Sequence, residues 1–270
     1  MKLGIKTVYS LIFNLILLNV IQAQINFFNI YRPFQSTLCC PVNVYGLMLE
    51  MNYYLIGSNK AELKIPVGLY WGATDSLEVG FEIAGVSRSE RDDVDKGISD
   101  MLIGIKHLIT KEQNGSVNIP TISAELGFSL PTGNYKEKFG TGGIGIIVLW
   151  MIDKEVILKT QHWFNLTINL GYRYYTRNPD KYKVGDSFFY TFGSNFQLTD
   201  ELKVSFGLKG ENKKNDEENS SKILNTEKFE SYISSGISYD IDEYRRFFTG
   251  LSFGITKDAK NLVFNIGMMY

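Results

Sequence analysis

Leu47-Met48-Leu49-Glu50-Met51-Asn52-Tyr53-Tyr54-Leu55 is the stretch from which the fold class can be read. In an extended chain Leu47, Leu49, Met51, Tyr53 and Leu55 fall on one side and Met48, Glu50, Asn52 and Tyr54 on the other, because successive side chains of a strand point to opposite faces. A helix would scatter both sets around its axis, so the period of 2 predicts a strand. The next run repeats the pattern, with Ala61, Leu63, Ile65, Val67, Leu69 and Trp71 opposite Glu62, Lys64 and Tyr70. A turn at 73–76 follows, then Leu77, Val79, Phe81 and Ile83 opposite Glu78 and Glu82.

Alternation continues to the end of the chain. Its outward rows include Met101-Ile103-Ile105-Ile109, Ile122-Ala124-Leu126-Phe128-Leu130, Phe164-Leu166-Ile168-Leu170-Tyr172-Tyr174 and Leu262-Phe264-Ile266-Met268-Tyr270. The row Ile144-Ile146-Val148-Trp150-Ile152 differs in having an apolar inner face as well. About 12 strands of roughly 9–11 residues result, the length and even number of a membrane-spanning barrel. The fold class expected is all-β, a transmembrane antiparallel up-and-down barrel. A soluble sandwich shares the local alternation. Against it, aromatics sit near the ends of the apolar rows (Tyr53, Trp71, Trp150, Tyr172, Tyr174, Phe188, Tyr190, Phe196, Tyr239), as in membrane girdles. Mean hydropathy near zero fits a barrel, since helical spans need about 20 consecutive apolar residues each. Pro66 conflicts with a continuous ladder and predicts a bulge or local break.

The ends of the chain set the expected compartment. Lys2 and Lys6 precede the apolar run 8–20, and Ile21-Gln22-Ala23 offers a cleavage site, so 1–23 reads as a signal peptide. Residues 24–46, with Arg32, the adjacent Cys39 and Cys40, and Pro41, read as an extended lead-in that can tuck into the lumen. Residues 47–270 form the barrel. An even strand number returns both termini to the periplasm of a Gram-negative bacterium, with the protein in its outer membrane against outer-membrane lipids. The final strand ending at Tyr270 resembles the signal read by the barrel-assembly machinery. Connections then alternate sides: 87–97, 132–141, 176–185 and 211–228 are expected as long outer loops, the last one mobile, with tight inner turns at 73–76 and 199–201.

By parity the lumen face holds Glu50, Glu62, Glu78, Glu82, Glu125 and Glu230 together with Lys64, Lys106, Arg173, Lys203 and Lys209, and Arg32 can join them from the lead-in. Opposite charges in a confined lumen should pair. Two functions remain open on this basis. One is a narrow polar channel for small-molecule solutes, hydrophobic or aromatic ones included. The other is a structural or surface-binding barrel with a closed lumen. A net charge of −1 nominates no nucleic-acid partner. The two histidines, His107 and His162, lie outside any nucleophile–base motif, so an enzyme is not expected. Neither a cofactor nor a metal is implied; the Asp92-Asp93-Val94-Asp95 run reads as a solvated acidic loop. Gly142, Gly143 and Gly145 serve close packing rather than phosphate binding, because no strand-to-helix turn follows them.

Several motifs occur in a familiar order. Gly97-Ile98-Ser99-Asp100-Met101-Leu102-Ile103-Gly104-Ile105-Lys106 resembles the G-x-x-D-x-x-x-G-x-K strand of the transporter-like outer-membrane family named for the meta-pathway of phenol degradation. Leu130-Pro131-Thr132-Gly133, followed by Gly140-Thr141-Gly142, is similar to its L-P-T-G strand end. Gly171-Tyr172-Arg173, Gly185-Asp186 and Leu198-Thr199-Asp200-Glu201-Leu202 resemble later segments, and Arg32-Pro33 with Ser36 a lead-in. The resemblance spans 32–210 and leaves the C-terminal third as generic barrel. It implies outer-membrane passage of small, often aromatic, solutes and marks Asp100, Gly104, Pro131, Thr132 and Gly133.

Overall fold

The computed structural model describes residues 45–56, 60–90, 93–112, 119–157, 163–242 and 245–270. Expectations that fall on 1–44, including the signal peptide, Arg32 and the cysteine pair, and that on His162, lie outside these residues. The described chain is all strand. Twelve staves form the barrel: β1 (Tyr45–Ile56), β2 (Lys60–Thr74), β3 (Leu77–Glu90), β5 (Met101–Thr110), β6 (Thr121–Leu130), β7 (Gly145–Ile157), β8 (Trp163–Tyr175), β10 (Ser187–Gln197), β11 (Leu202–Lys213), β14 (Lys228–Asp240), β15 (Arg246–Gly254) and β16 (Leu262–Met269). Neighbours in sequence pair antiparallel, and β1 pairs β16 with Met48 opposite Met269, so the sheet closes on itself. Closure removes the edges that an open sheet would leave unpaired. A short β4 (Asp93–Ile98) continues β5 above a break at Ser99–Asp100, and β9 (Tyr182–Lys183), β12 (Glu217–Glu218) and β13 (Ser221–Lys222) form a separate small sheet.

Inside and outside follow the sequence parity. In β1 Met48, Glu50, Asn52 and Tyr54 are buried, while Tyr45, Leu49, Met51 and Tyr53 are exposed. The outer face is a continuous apolar belt that includes Ile65, Leu126, Val148, Ile168 and Leu251. Its ends carry rings. Tyr45 stacks on Trp71 at the end with the tight turns. Toward the other end Lys183 Nζ sits 4.4 Å over the Tyr174 ring and Lys214 Nζ 5.8 Å over Tyr172. An aromatic tip beneath a cationic rim suits the boundary between hydrocarbon and headgroups.

The inner face has its own packing logic. Glycines on the lumen wall make room for rings: a Cβ on Gly171 would overlap the Phe189 ring and one on Gly267 the Phe248 ring, both from the next stave, and one on Gly68 the Tyr70 ring of its own stave. These rings join Met48, Ile147, Leu149, Met151 and Met269 in one apolar cluster. The apolar inner row of β7 thus packs inside the barrel.

Two expectations need adjustment, and a third, the bulge or local break at Pro66, resolves to the break. Segment 87–97 is not a loop: β3 and β4 pair there from Gly85 opposite Ile98 up to Glu90 opposite Asp93, making a hairpin arm that continues the wall. Segment 211–228 is built rather than loose, since β11 runs to Lys213 and β12 pairs with both β9 and β13. At Pro66 the β1–β2 ladder skips from Leu49–Val67 to Asn52–Lys64 without change of register, while Pro66 still aligns with Ala84 of β3. The missing N–H opens a local gap and no bulge.

Candidate functional site

The two ends of the barrel differ. Both Tyr45 and Tyr270 lie at the end with the tight turns, tied by Leu47 N–H to Tyr270 O at 3.0 Å and the reciprocal bond at 2.9 Å. The opposite end carries the connections 131–144, 176–186 and 214–227. Each of these is held by an aspartate or a backbone network rather than by burial alone.

Asp100 holds the first. Set at the break between β4 and β5, its Oδ1 accepts from Gly133 N–H (3.0 Å), and its Oδ2 from Thr141 N–H (2.7 Å) and Thr141 Oγ1 (2.8 Å). Met101 N–H donates to Thr132 Oγ1 at 2.8 Å. The glycines are required by closeness: a Cβ on Gly133 would lie 2.8 Å from Ile98 O and 2.9 Å from Gly140 Cα. Gly142 adopts φ +70°, a left-handed conformation that glycine takes without a Cβ penalty. The motif residues Asp100, Thr132 and Gly133 therefore converge on one junction, although Asp100 stands 33 positions from Gly133 in the chain. Pro131 begins the loop that they fasten. The loop then turns inward and lays the Phe139 ring against Gly97, where the Arg88 guanidinium covers it at 5.1 Å. Arg88 also donates to Lys138 O (2.6 Å) and Glu62 Oε2 (2.8 Å).

Asp216 is the second anchor. Its carboxylate accepts from Tyr182 Oη (2.6 Å), Gly185 N–H (2.7 Å) and Lys213 Nζ (2.7 Å). Burial would raise its pKa, yet Lys213, Tyr182 and the Gly185 amide together hold it below the usual aspartate value. Burial and the adjacent Asp216 charge push the Tyr182 phenol up.

Between these anchored loops lies a vestibule of about 1100 Å³. Its lining includes Tyr54, Lys64, Glu82, Arg88, Leu102, Phe139, Arg173, Tyr175, Glu211 and Lys260. Among the described residues, eight basic side chains line it against five acidic ones, and one of those acids, Asp100, is already committed to the loop junction. Aromatic rings and cations thus share one cavity, a surface that can accept a small amphipathic or anionic solute.

The charges foreseen on the lumen face separate into levels. Lys64, Glu82 and Arg173 line the vestibule: Lys64 pairs Glu62 at 3.2 Å, and Arg173 pairs Glu211 at 3.6 Å and caps the Phe189 ring at 5.4 Å. Glu230 lies on that side too, accepting from Tyr232 Oη at 2.7 Å. Below is a dry layer. Lys106 and Glu78 are both 0% exposed and 3.0 Å apart, and Glu125, opposite Lys106 in the ladder, is 2% exposed. Glu50 and Lys209 are equally buried. Gly104 stands between Gly80 and Gly127 of the adjacent staves. Lys203 is elsewhere, at the tight-turn rim, where it shares Asp240 with Arg246. The parity reading missed Arg88, Glu211, Phe139 and Lys260. Arg88 and Glu211 keep the inward parity of β3 and β11, but in stretches polar on both faces that read as loop; Phe139 and Lys260 carry no periodic signal.

His107 is exposed on the outer face, with Nδ1 3.1 Å from Ser76 O. Among the described residues, no group of three or more His, Cys, Asp or Glu is placed to hold a metal ion, and Asp93 and Asp95 lie on the exposed β4.

A closed 12-stave barrel with an apolar outer belt and a charged lumen is the architecture of outer-membrane barrels. Within that class, the chain belongs to the family described as "Putative MetA-pathway of phenol degradation", whose model matches residues 60–270. The match runs through the C-terminal third, which had looked generic in the sequence. Among solved structures, the chain is similar to an outer membrane channel from Pseudomonas putida F1, with a TM-score of 0.74 at 11% identity over 87% of this chain and 97% of that one. It also resembles the NanC porin, with a TM-score of 0.52 at 10% identity over 83% and 98% of the two chains. A search of curated proteins returned no match.

Proposed function

We propose that this protein is an outer-membrane channel that admits small solutes, hydrophobic or aromatic ones included, through the vestibule and into the barrel. The observation that carries the reading is the vestibule of about 1100 Å³ at the end of the barrel with the long connections. Barrels of this class place long loops outside and short turns in the periplasm, so the vestibule faces the medium and both termini the periplasm. The rings of Tyr54, Phe139 and Tyr175 give a flat solute apolar contact, and the cations beside them orient it. The named channel of similar fold supports the same assignment.

One observation favours a second reading, a barrel that binds at its mouth without passing solute: the layer of Glu78, Lys106, Glu125 and Lys209 beneath the vestibule is dry. Single-channel recording in planar lipid decides between them. A channel gives discrete conductance steps, and removing residues 24–44 should leave them intact or enlarge them. A folded barrel that stays silent, with and without that segment, assigns the protein to the second reading.

A further inference from the structure

The vestibule wall carries a cluster that narrows what the channel reading would admit. Lys260, in the connection between β15 and β16, places Nζ 3.8 Å from the centroid of the Tyr54 ring, and Lys64 Nζ stands 5.7 Å from the same centroid. Two cations thus flank one ring. Lys228, at the start of β14, adds its field to Lys260, and Arg88 stands nearby through its bond to Glu62. The facing carboxylates are engaged: Glu62 with Lys64 and Arg88, Glu230 with the Tyr232 hydroxyl. Among the described residues, four cations thus stand with Glu62 and Glu230, beside Glu82, in a cavity already biased toward positive charge. Such an excess in a confined mouth concentrates anions.

Resting on the channel reading, we infer that Lys64, Lys228 and Lys260 around Tyr54 form an anion-binding subsite in the vestibule, which selects small aromatic carboxylates over neutral solutes of the same shape. The carboxylate of the solute bridges the lysine ammonium groups, and its ring lies against the aromatic lining. Charge-assisted bonds of this kind are about twice as strong as neutral ones. The electrostatics of Lys260 agree with this role. Burial first, and then the nearby Lys64 charge, lower its pKa to about 8, against the opposing pull of Glu62 and Glu230. A carboxylate beside it would raise that value again.

The test measures benzoate binding to the refolded full chain in detergent by isothermal titration, with benzamide as the neutral isostere. Benzoate is expected to bind at least tenfold more tightly than benzamide. Lys260→Gln should abolish most of that preference, Lys260→Arg should keep it, and Lys222→Gln, in the outer sheet away from the vestibule, should leave it unchanged. Benzoate binding should also weaken as pH rises through about 8. Should Lys260→Gln fail to refold, Lys64→Gln carries the same comparison. Equal affinity for benzoate and benzamide, or an unchanged preference in the glutamine variant, overturns the proposal. Because binding is read without a membrane, the two readings fail separately. A conducting barrel indifferent to benzoate keeps the channel and loses the subsite; a silent barrel that prefers benzoate does the reverse.

Discussion

Single residues here act through what they hold in place. Asp100 accepts three hydrogen bonds from a loop 33–41 residues away, two of them from backbone amides. Hydrogen bonds to a charged group contribute about 1.5–3 kcal/mol each. Asp100→Asn keeps the shape and removes the charge, so the barrel should still fold while the 131–144 loop loosens. Limited proteolysis will show it: cleavage within 134–141 should speed up at least tenfold, with the rest of the barrel protected. Cleavage at the wild-type rate would mean that packing of Phe139 alone fixes the loop. The pair Lys106–Glu78, 0% exposed on both sides, makes a different point. Removing one member of a buried pair costs about 3–5 kcal/mol, because the other charge stays in a dry site. Lys106→Met should therefore lower the unfolding midpoint in urea more than Lys106→Met combined with Glu78→Leu does. Strictly additive losses would show that the two side chains act independently.

At the level of elements, the small sheet of β9, β12 and β13 depends on Asp216. Its pKa lies below the unfolded value, so its contribution is present above about pH 4 and is lost as pH falls through the folded pKa. Protection of the amides at 214–226, taken relative to their intrinsic exchange rate at each pH, should fall on acidification while protection in the staves does not. Asp216→Asn should show that lower protection already at neutral pH. Uniform protection at all acidic pH values would remove Asp216 from this role. The staves themselves were legible in advance, because period-2 alternation is a property of each strand alone. Their upper ends were not. In β3 and β11 the residues past the membrane belt alternate weakly, Ser87 to Glu90 and Glu211 to Lys213 being polar on both faces, so they read as loop until the partner strand is known.

For the whole molecule, the decisive property is which face meets what. Leu126 sits mid-strand on β6 with its side chain 43% exposed on the outer belt, while Ser123 of the same strand points into the dry lumen. If the belt meets hydrocarbon, Leu126→Arg should cost about 2–4 kcal/mol in lipid vesicles, the depth-dependent penalty of a cation near the midplane. Ser123→Ala should stay within about 1 kcal/mol. Equilibrium unfolding of both variants in vesicles checks this, and a Leu126→Arg protein as stable as wild type would deny that the belt is in lipid.

Sequence alone determined the wall of this protein: the strand class, the stave number near 12, and which residues of each stave face in. It could do so because those properties repeat every two residues and each strand reports them locally. It also picked out Asp100, Thr132 and Gly133 through their resemblance to a family, but without a role for them. Tertiary structure decided the rest. Register and closure sort the lumen charges into a wet upper level with Lys64 and Arg173, a dry layer with Glu78 and Lys106, and a rim with Lys203. The inward fold of 131–144 and the meeting of Lys260 with Tyr54 join positions far apart in sequence. Such meetings depend on where closure brings two chain segments together, and no local period records that.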